Sequence, residues 1–180
     1  MVTAYIGLGS NLGKRRENLL RAWARLGRVK GVKLLVLSKP YKSAPVGMES
    51  TNWFINAVGS VLTSLQPEDL LAEMLAVEAS LGRKRNLQGK PEDRSVDLDL
   101  LYWGDRVCGD PRLILPHPQI AKRLFVLLPL AAIGPELIHP ILNKTSALML
   151  QECMARQAGK PPGPQVQETS WSTENKEVSG

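Results

Sequence analysis

A chain of 180 residues, 43% hydrophobic and 22% charged, is long enough for one domain with a full core and ordinary for a water-soluble protein. The longest apolar run, residues 124–138, is broken by Pro129, Gly134 and Pro135, which argues against a membrane span; the opening residues carry no leader pattern. Cys108 and Cys153 lack metal-ligand spacing, so a reduced, cytoplasmic protein is expected.

In chain order, residues 3–8 read as a first strand, followed by the glycine-rich turn Gly9-Ser10-Asn11-Leu12-Gly13. Residues 15–26 carry Leu19, Ala22, Trp23 and Leu26 at helical spacing, and Gly27 and Gly31 end the helix. The net charge of +6 is concentrated in residues 14–30. There Arg21, Arg25 and Arg28 fall at i, i+4, i+7, which reads as the wet face of that helix rather than a nucleic-acid patch. Residues 32–37 predict a second strand, running into a loop through Ser43, Ala44, Val46 and Gly47; residues 54–62 predict a third. Residues 67–81 give the clearest helix, with Pro67 at its first position, Glu68 and Asp69 in the first turn, and Gly82 as its stop. Residues 97–103 form the fourth strand, and a short strand near 106–108 returns after the Gly104-Asp105 turn. The order β-α-β-β-α-β predicts an α+β fold, a ferredoxin-like antiparallel sheet with two helices on one face. Further helical pieces follow within residues 113–138, and a last helix covers 146–156. The domain is placed at residues 1–157. From residue 158 the composition turns to Pro, Gly and polar residues, so 158–180 is expected to be a disordered tail with Trp171 exposed.

The stretch from Gly82 to Tyr102 carries the most chemistry. Asp97 and Asp99 sit at i and i+2, so on a strand they project together, with Cα atoms roughly 6–7 Å apart, while Val96, Leu98 and Leu100 face the other way. Adjacent carboxylates repel unless a cation lies between them, and Mg²⁺ takes one or two carboxylates plus substrate phosphates. Arg83, Arg85 and Arg94 just upstream suit a polyphosphate. A solvated salt bridge between Arg94 and the aspartates is the competing reading, and the residues alone leave both open. No P-loop or dinucleotide fingerprint is present, and Ser10 and Asn11 taken alone read as helix caps. His117, in Leu115-Pro116-His117-Pro118, is either a turn histidine or a phosphate ligand flanked by Arg112 and Arg123. Phe54 and Phe125 are core residues by default.

Six blocks in one order carry a resemblance. They are Tyr5-Ile6-Gly7-Leu8-Gly9-Ser10-Asn11-Leu12-Gly13; Ala44-Pro45-Val46-Gly47; Phe54-Ile55-Asn56-Ala57; Glu78 with Gly82-Arg83-Lys84-Arg85; Arg94-Ser95-Val96-Asp97-Leu98-Asp99; and Leu115-Pro116-His117-Pro118 with Arg123 and Phe125. Across residues 2–154 the chain resembles the 6-hydroxymethyl-7,8-dihydropterin pyrophosphokinases of folate biosynthesis. The resemblance implies transfer of pyrophosphate from ATP to the pterin hydroxymethyl group, releasing AMP. It implies two Mg²⁺ ions on Asp97 and Asp99, with Arg83 and Arg94 catalytic beside them. Glu78, Arg83, Arg85, Arg94, Arg112, His117 and Arg123 match nucleotide-site positions. The loop 86–93 lacks the Arg-Trp frequent in the family, so Lys90 joins Arg85 in pairing with ATP, and residues 84–93 are expected to close over the triphosphate. Phe54 and Phe125 match the pair that sandwiches the pterin, and Asn56 matches the amide that reads its edge, helped by main-chain groups of Ser43, Ala44 and Val46. Ser10 and Asn11 would support the surrounding loops. The expected partners are small molecules, with no nucleic acid and no membrane, and the chain is expected to be a monomer. Two other classes stay open: a ferredoxin-like RNA-binding module and a two-metal nucleotidyltransferase.

Overall fold

The computed structural model describes residues 1–83, 92–158 and 165–172. In chain order these form β1 (Val2–Ser10), α1 (Arg15–Leu26), β2 (Val32–Leu37), β3 (Tyr41–Ser43), β4 (Phe54–Thr63), α2 (Pro67–Ser80), β5 (Asp97–Trp103), β6 (Cys108–Asp110) and β7 (Leu113–Leu115). A 3-10 turn (Ile120–Lys122), α3 (Leu124–Ile133), β8 (Ile138–His139), β9 (Lys144–Thr145), α4 (Ser146–Gln157) and β10 (Val166–Glu168) follow. The main sheet runs β10-β3-β4-β1-β5, with β2 pairing β4 beyond the end of β3, and each of these pairings is antiparallel.

Strand alternation divides the core between the two faces of this sheet. Ala4, Ile6 and Leu8 of β1 and Leu98 and Leu100 of β5 point to the first face. There they meet Leu19, Ala22 and Leu26 of α1 and Leu70, Met74 and Val77 of α2. Leu70 and Met74 are fully buried, and each contributes about 2 kcal/mol through the apolar area it removes from water. Pro67 starts α2 without losing a needed donor, and Gly82, at φ +82°, lets the chain leave the helix in the left-handed region. On the second face, Val58, Leu101 and Tyr102 pack against Leu127 and Leu130 of α3 and Met149 and Cys153 of α4. The Thr145 hydroxyl caps α4 by accepting from Leu148 N at 3.2 Å. α3 is apolar on every side, as a helix must be when it lies between a sheet and another helix.

Several expectations change. The segment after β2 forms a short strand, β3, where a loop is expected, because its backbone pairs with β4. The return strand after β5 is β6, at Cys108–Asp110, and it pairs with β7 as a separate hairpin. Residues 165–172 are ordered: β10 pairs with β3, and Trp171 is half-buried against the first-face core, its indole N–H donating to Ser38 O at 3.0 Å. The disordered tail and the exposed tryptophan are therefore corrected for these residues. Asn11 does not cap α1, whose N-cap is Lys14. Its side chain binds the segment before β5 instead.

Candidate active site

The second face is not covered everywhere. Where β1 ends and β4 and β5 begin, it opens into a cavity of about 520 Å³. The floor is set by register: Gly9 of β1 stands opposite Asn56 of β4 on one side and Asp97 of β5 on the other, and Gly7 stands opposite Asp99. These residues share a face, so Asn56 and the two aspartates flank a glycine floor. A Cβ on Gly9 would lie 3.4 Å from Asn56 Oδ1 and 3.9 Å from Asp97 Cβ and Phe54 Cδ1, inside the space between them. The register of β1 and β5 slips between Tyr5 and Ile6, leaving Leu101 without a partner beside the site.

One end of the cavity is apolar and amide-bearing. Phe54 of β4 and Phe125 from the first turn of α3 both line it. Asn56 Nδ2 donates to Ser43 Oγ at 2.9 Å, which fixes the amide and turns its oxygen toward the Gly9 floor. Ala44 and Val46, just past β3, complete this wall.

The other end is charged. Asp97 Oδ1 accepts from Arg83 Nη1, and Asp97 Oδ2 lies 3.2 Å from Arg94 Nη1. Arg83 Nη1 also meets Glu78 Oε1 at 2.6 Å, and Glu78 Oε1 accepts from Leu98 N at 2.7 Å. Glu78 is thus a buried brace beneath Arg83 rather than part of the cavity wall. Burial, and then the neighbouring Asp97 charge, push the Asp99 carboxyl up to about 6, while Arg123, Arg94 and Arg83 pull the other way. Burial, followed by the Arg123 charge, lowers His117, so its ring is neutral at neutral pH. His117 Nδ1 accepts from Gln119 N at 3.3 Å, which leaves Nε2 as the protonated, donating nitrogen. Arg94 stacks 5.6 Å above the Phe54 ring and Arg123 5.6 Å above Phe125, so two cations mark the boundary between the ends.

Of the residues expected at a site, Ser43, Ala44, Val46, Phe54, Asn56, Arg83, Arg94, Asp97, Asp99, His117, Arg123 and Phe125 all line this one cavity. The salt bridge that competed with the metal reading exists, but inside the cavity, where Asp97 and Arg94 are each largely shielded. Arg112 is not brought in: it sits at the β6–β7 turn, exposed and paired with Asp110. Arg85 and Lys90 fall on positions outside the described residues, as do residues 84–91 of the segment 84–93 expected to close over the triphosphate.

Asp93 was not anticipated. Its carboxylate accepts from Asn11 Nδ2 and Ser50 Oγ, each at 2.6 Å, and from Asn52 Nδ2. Asn11 also accepts from Arg94 N at 2.8 Å and donates its own N–H to Arg94 O at 3.1 Å. Three distant segments therefore meet at one carboxylate beside Arg94. No local pattern marks such a hub, since its donors lie about 40 and 80 residues away in sequence. The two glycines of the floor were visible in sequence, but their meaning depends on strand register.

A family model described as 7,8-dihydro-6-hydroxymethylpterin-pyrophosphokinase matches residues 5–135. A 2-amino-4-hydroxy-6-hydroxymethyldihydropteridine pyrophosphokinase of Methylorubrum extorquens is 39% identical over 138 residues, 77% of this chain and 86% of that protein. The folic acid synthesis protein fol1 of Pneumocystis carinii is 42% identical over 143 residues, 79% of this chain but 19% of that longer protein. Among solved structures, a Plasmodium falciparum HPPK-DHPS with pteroate superposes with a TM-score of 0.70 over 87% of this chain and 45% of that one. At 14% identity that likeness speaks to the fold alone.

Proposed function

The chain belongs to the 7,8-dihydro-6-hydroxymethylpterin-pyrophosphokinase family, and we propose that it transfers pyrophosphate from ATP to 6-hydroxymethyl-7,8-dihydropterin in folate biosynthesis, giving the pterin diphosphate and AMP. The observation that carries this reading is the row Asn56–Gly9–Asp97: an amide and an acidic pair on one face, separated only by glycine. With strands about 4.8 Å apart, the row spans roughly 10 Å, enough for a flat heterocycle at one end and a polyphosphate at the other.

At the amide end, Phe54 and Phe125 stack the planar ring. Asn56 Oδ1 accepts from the donor edge of the pterin, and main-chain groups of Ser43, Ala44 and Val46 complete its recognition. At the charged end, Arg83, Arg94 and Arg123 hold phosphate oxygens, and His117 donates from Nε2 as a neutral group. Arg85 and Lys90 extend the nucleotide site, and Glu78 acts on ATP through Arg83.

The residues present fit Mg²⁺. Asp97 and Asp99 emerge side by side, and the Asp99 carboxyl is raised first by burial and then by the Asp97 charge, a penalty that a cation between them would relieve. Among the described residues no three His, Cys, Asp or Glu side chains form a metal cluster, which suits an ion that completes its shell with water and substrate oxygens. Asp97 and Asp99 would hold two Mg²⁺ ions, whose chemistry is to neutralise charge on the triphosphate as the pterin hydroxyl attacks. Both Asp97 oxygens contact arginines, so for Asp97 to hold a metal Arg83 and Arg94 would have to turn from it to phosphate oxygens.

The antiparallel order β2-β4-β1-β5, with β4 and β1 inside and α1 and α2 on one face, supports the ferredoxin-like reading. No helix among the described residues is long and apolar enough to cross a membrane, and Cys108 and Cys153 are free; we propose a cytoplasmic monomer acting on small molecules. The test is incubation with ATP, Mg²⁺ and hydroxymethyl-dihydropterin. AMP release is expected. Pyrophosphate release would mark a nucleotidyltransferase instead, and no nucleotide product would overturn both.

A further inference from the structure

The pterin wall of the cavity hangs on a very short strand. β3 has three residues, and its last, Ser43, orients Asn56. A strand of that length on a sheet edge has little backbone pairing of its own and opens readily. Here its outer edge is occupied: Val166 pairs with Ser43, Gln167 with Lys42 and Glu168 with Tyr41, and Thr169 N donates to Pro40 O at 2.8 Å. The same segment is anchored elsewhere. Trp171 packs against the first-face core and bonds Ser38 O, the residue two before Pro40. Arg16 of α1 donates to Ser170 O at 2.7 Å and to Thr169 Oγ1 at 2.8 Å. The Lys39–Glu168 ion pair at 2.7 Å is exposed and adds little; the backbone ladder and the indole carry the attachment.

Among the described residues, no hydrogen bond or strand pair made by residues 165–172 involves Arg83, Asp97, Asp99, His117 or Arg123, which line the charged end of the cavity. The segment therefore braces one end of the site and not the other. We propose that residues 165–172 are a positioning element for the pterin: β10, anchored by Trp171, holds β3 in place so that Ser43 keeps Asn56 turned toward the ligand. This rests on the reading of that end as the pterin site.

The test compares the full chain, Trp171→Ala, and a chain ending at residue 164. Amide hydrogen exchange at residues 41–43 is followed without substrate, and KM for pterin, KM for ATP and kcat are measured separately. Exchange should quicken in both variants. If the wall is correctly set in a tenth of the molecules, KM for the pterin rises about tenfold. KM for ATP and kcat at saturating pterin should stay within about twofold, a split that general loosening of the fold would not produce. Unchanged exchange, unchanged pterin KM, or a parallel rise in both KM values overturns the proposal. A full chain that turns over while the variants behave like it refutes the positioning role alone. A full chain with no pyrophosphoryl transfer refutes the functional reading, and the pterin assignment falls with it.

Discussion

Asp99 is held in a place that penalises its charge. Its carboxyl is raised from 3.8 to about 6, first by burial and then by Asp97. The folded state therefore retains a proton that the unfolded chain has released, so stability falls as pH rises from about 4 to about 6 and stays reduced above that window. The cost is on the order of 3 kcal/mol in the metal-free protein. Asp99→Asn removes the ionisation. Thermal denaturation should find the variant more stable than the parent above pH 6, with the difference vanishing below pH 4, while turnover is largely lost. Added Mg²⁺ should raise the parent's melting temperature and not the variant's. A variant that is less stable at pH 8, or one that turns over normally, would contradict this account. Asp93 makes a different prediction. Because it ties Ser50 and Asn52, in the segment leading into Phe54, to Asn11 and, through Asn11, to Arg94, Asp93→Ala should raise KM for both substrates, on the order of fivefold each. A rise for one substrate only would show that the hub serves a single end.

At the level of elements, α1 and β4 meet without spare room. A Cβ on Gly59 would land inside the Trp23 ring, so Gly59→Ala forces the indole out of its place at a cost of about 1–3 kcal/mol. A melting temperature lowered by several degrees, with kcat at 25 °C unchanged, is the expected result; an unchanged melting temperature would mean that the ring has another resting place. Elements with strong internal punctuation were legible from sequence. α2 has Pro67 and Gly82 at its ends, and β5 has its alternation, so both the helix and the Asp97/Asp99 pair were readable. β10 was not, because Val166, Gln167 and Glu168 carry no periodicity of their own. Its structure comes from an edge more than 120 residues away, as does the docking of Trp171. Arg112 misled for the converse reason. It lies near His117 in sequence, yet the β6–β7 turn carries it away from the cavity.

Across the whole molecule, charge is distributed so that the two substrates should feel it differently. The net charge is +6, and Arg83, Arg94 and Arg123 line the phosphate end of the cavity. The surplus on residues 14–30, carried largely by α1 on the opposite face of the sheet, adds a long-range positive field that favours polyanions over neutral molecules. Mg-ATP arrives with a net negative charge; the pterin is uncharged and, in the proposed site, would rely on stacking and the Asn56 amide. The Debye length falls from about 10 Å at 0.1 M salt to about 3 Å at 1 M, so long-range attraction is lost over that range while contacts inside the pterin pocket persist. The association rate of Mg-ATP should therefore drop steeply with added salt, by roughly tenfold or more. Binding of a pterin analogue should change little. Stopped-flow measurements with a fluorescent ATP analogue, paired with calorimetry on the pterin analogue across the same salts, separate the two effects. Equal salt dependence for both ligands would mean that the arginines act only at contact distance, and that the positive surplus on α1 plays no part in substrate capture.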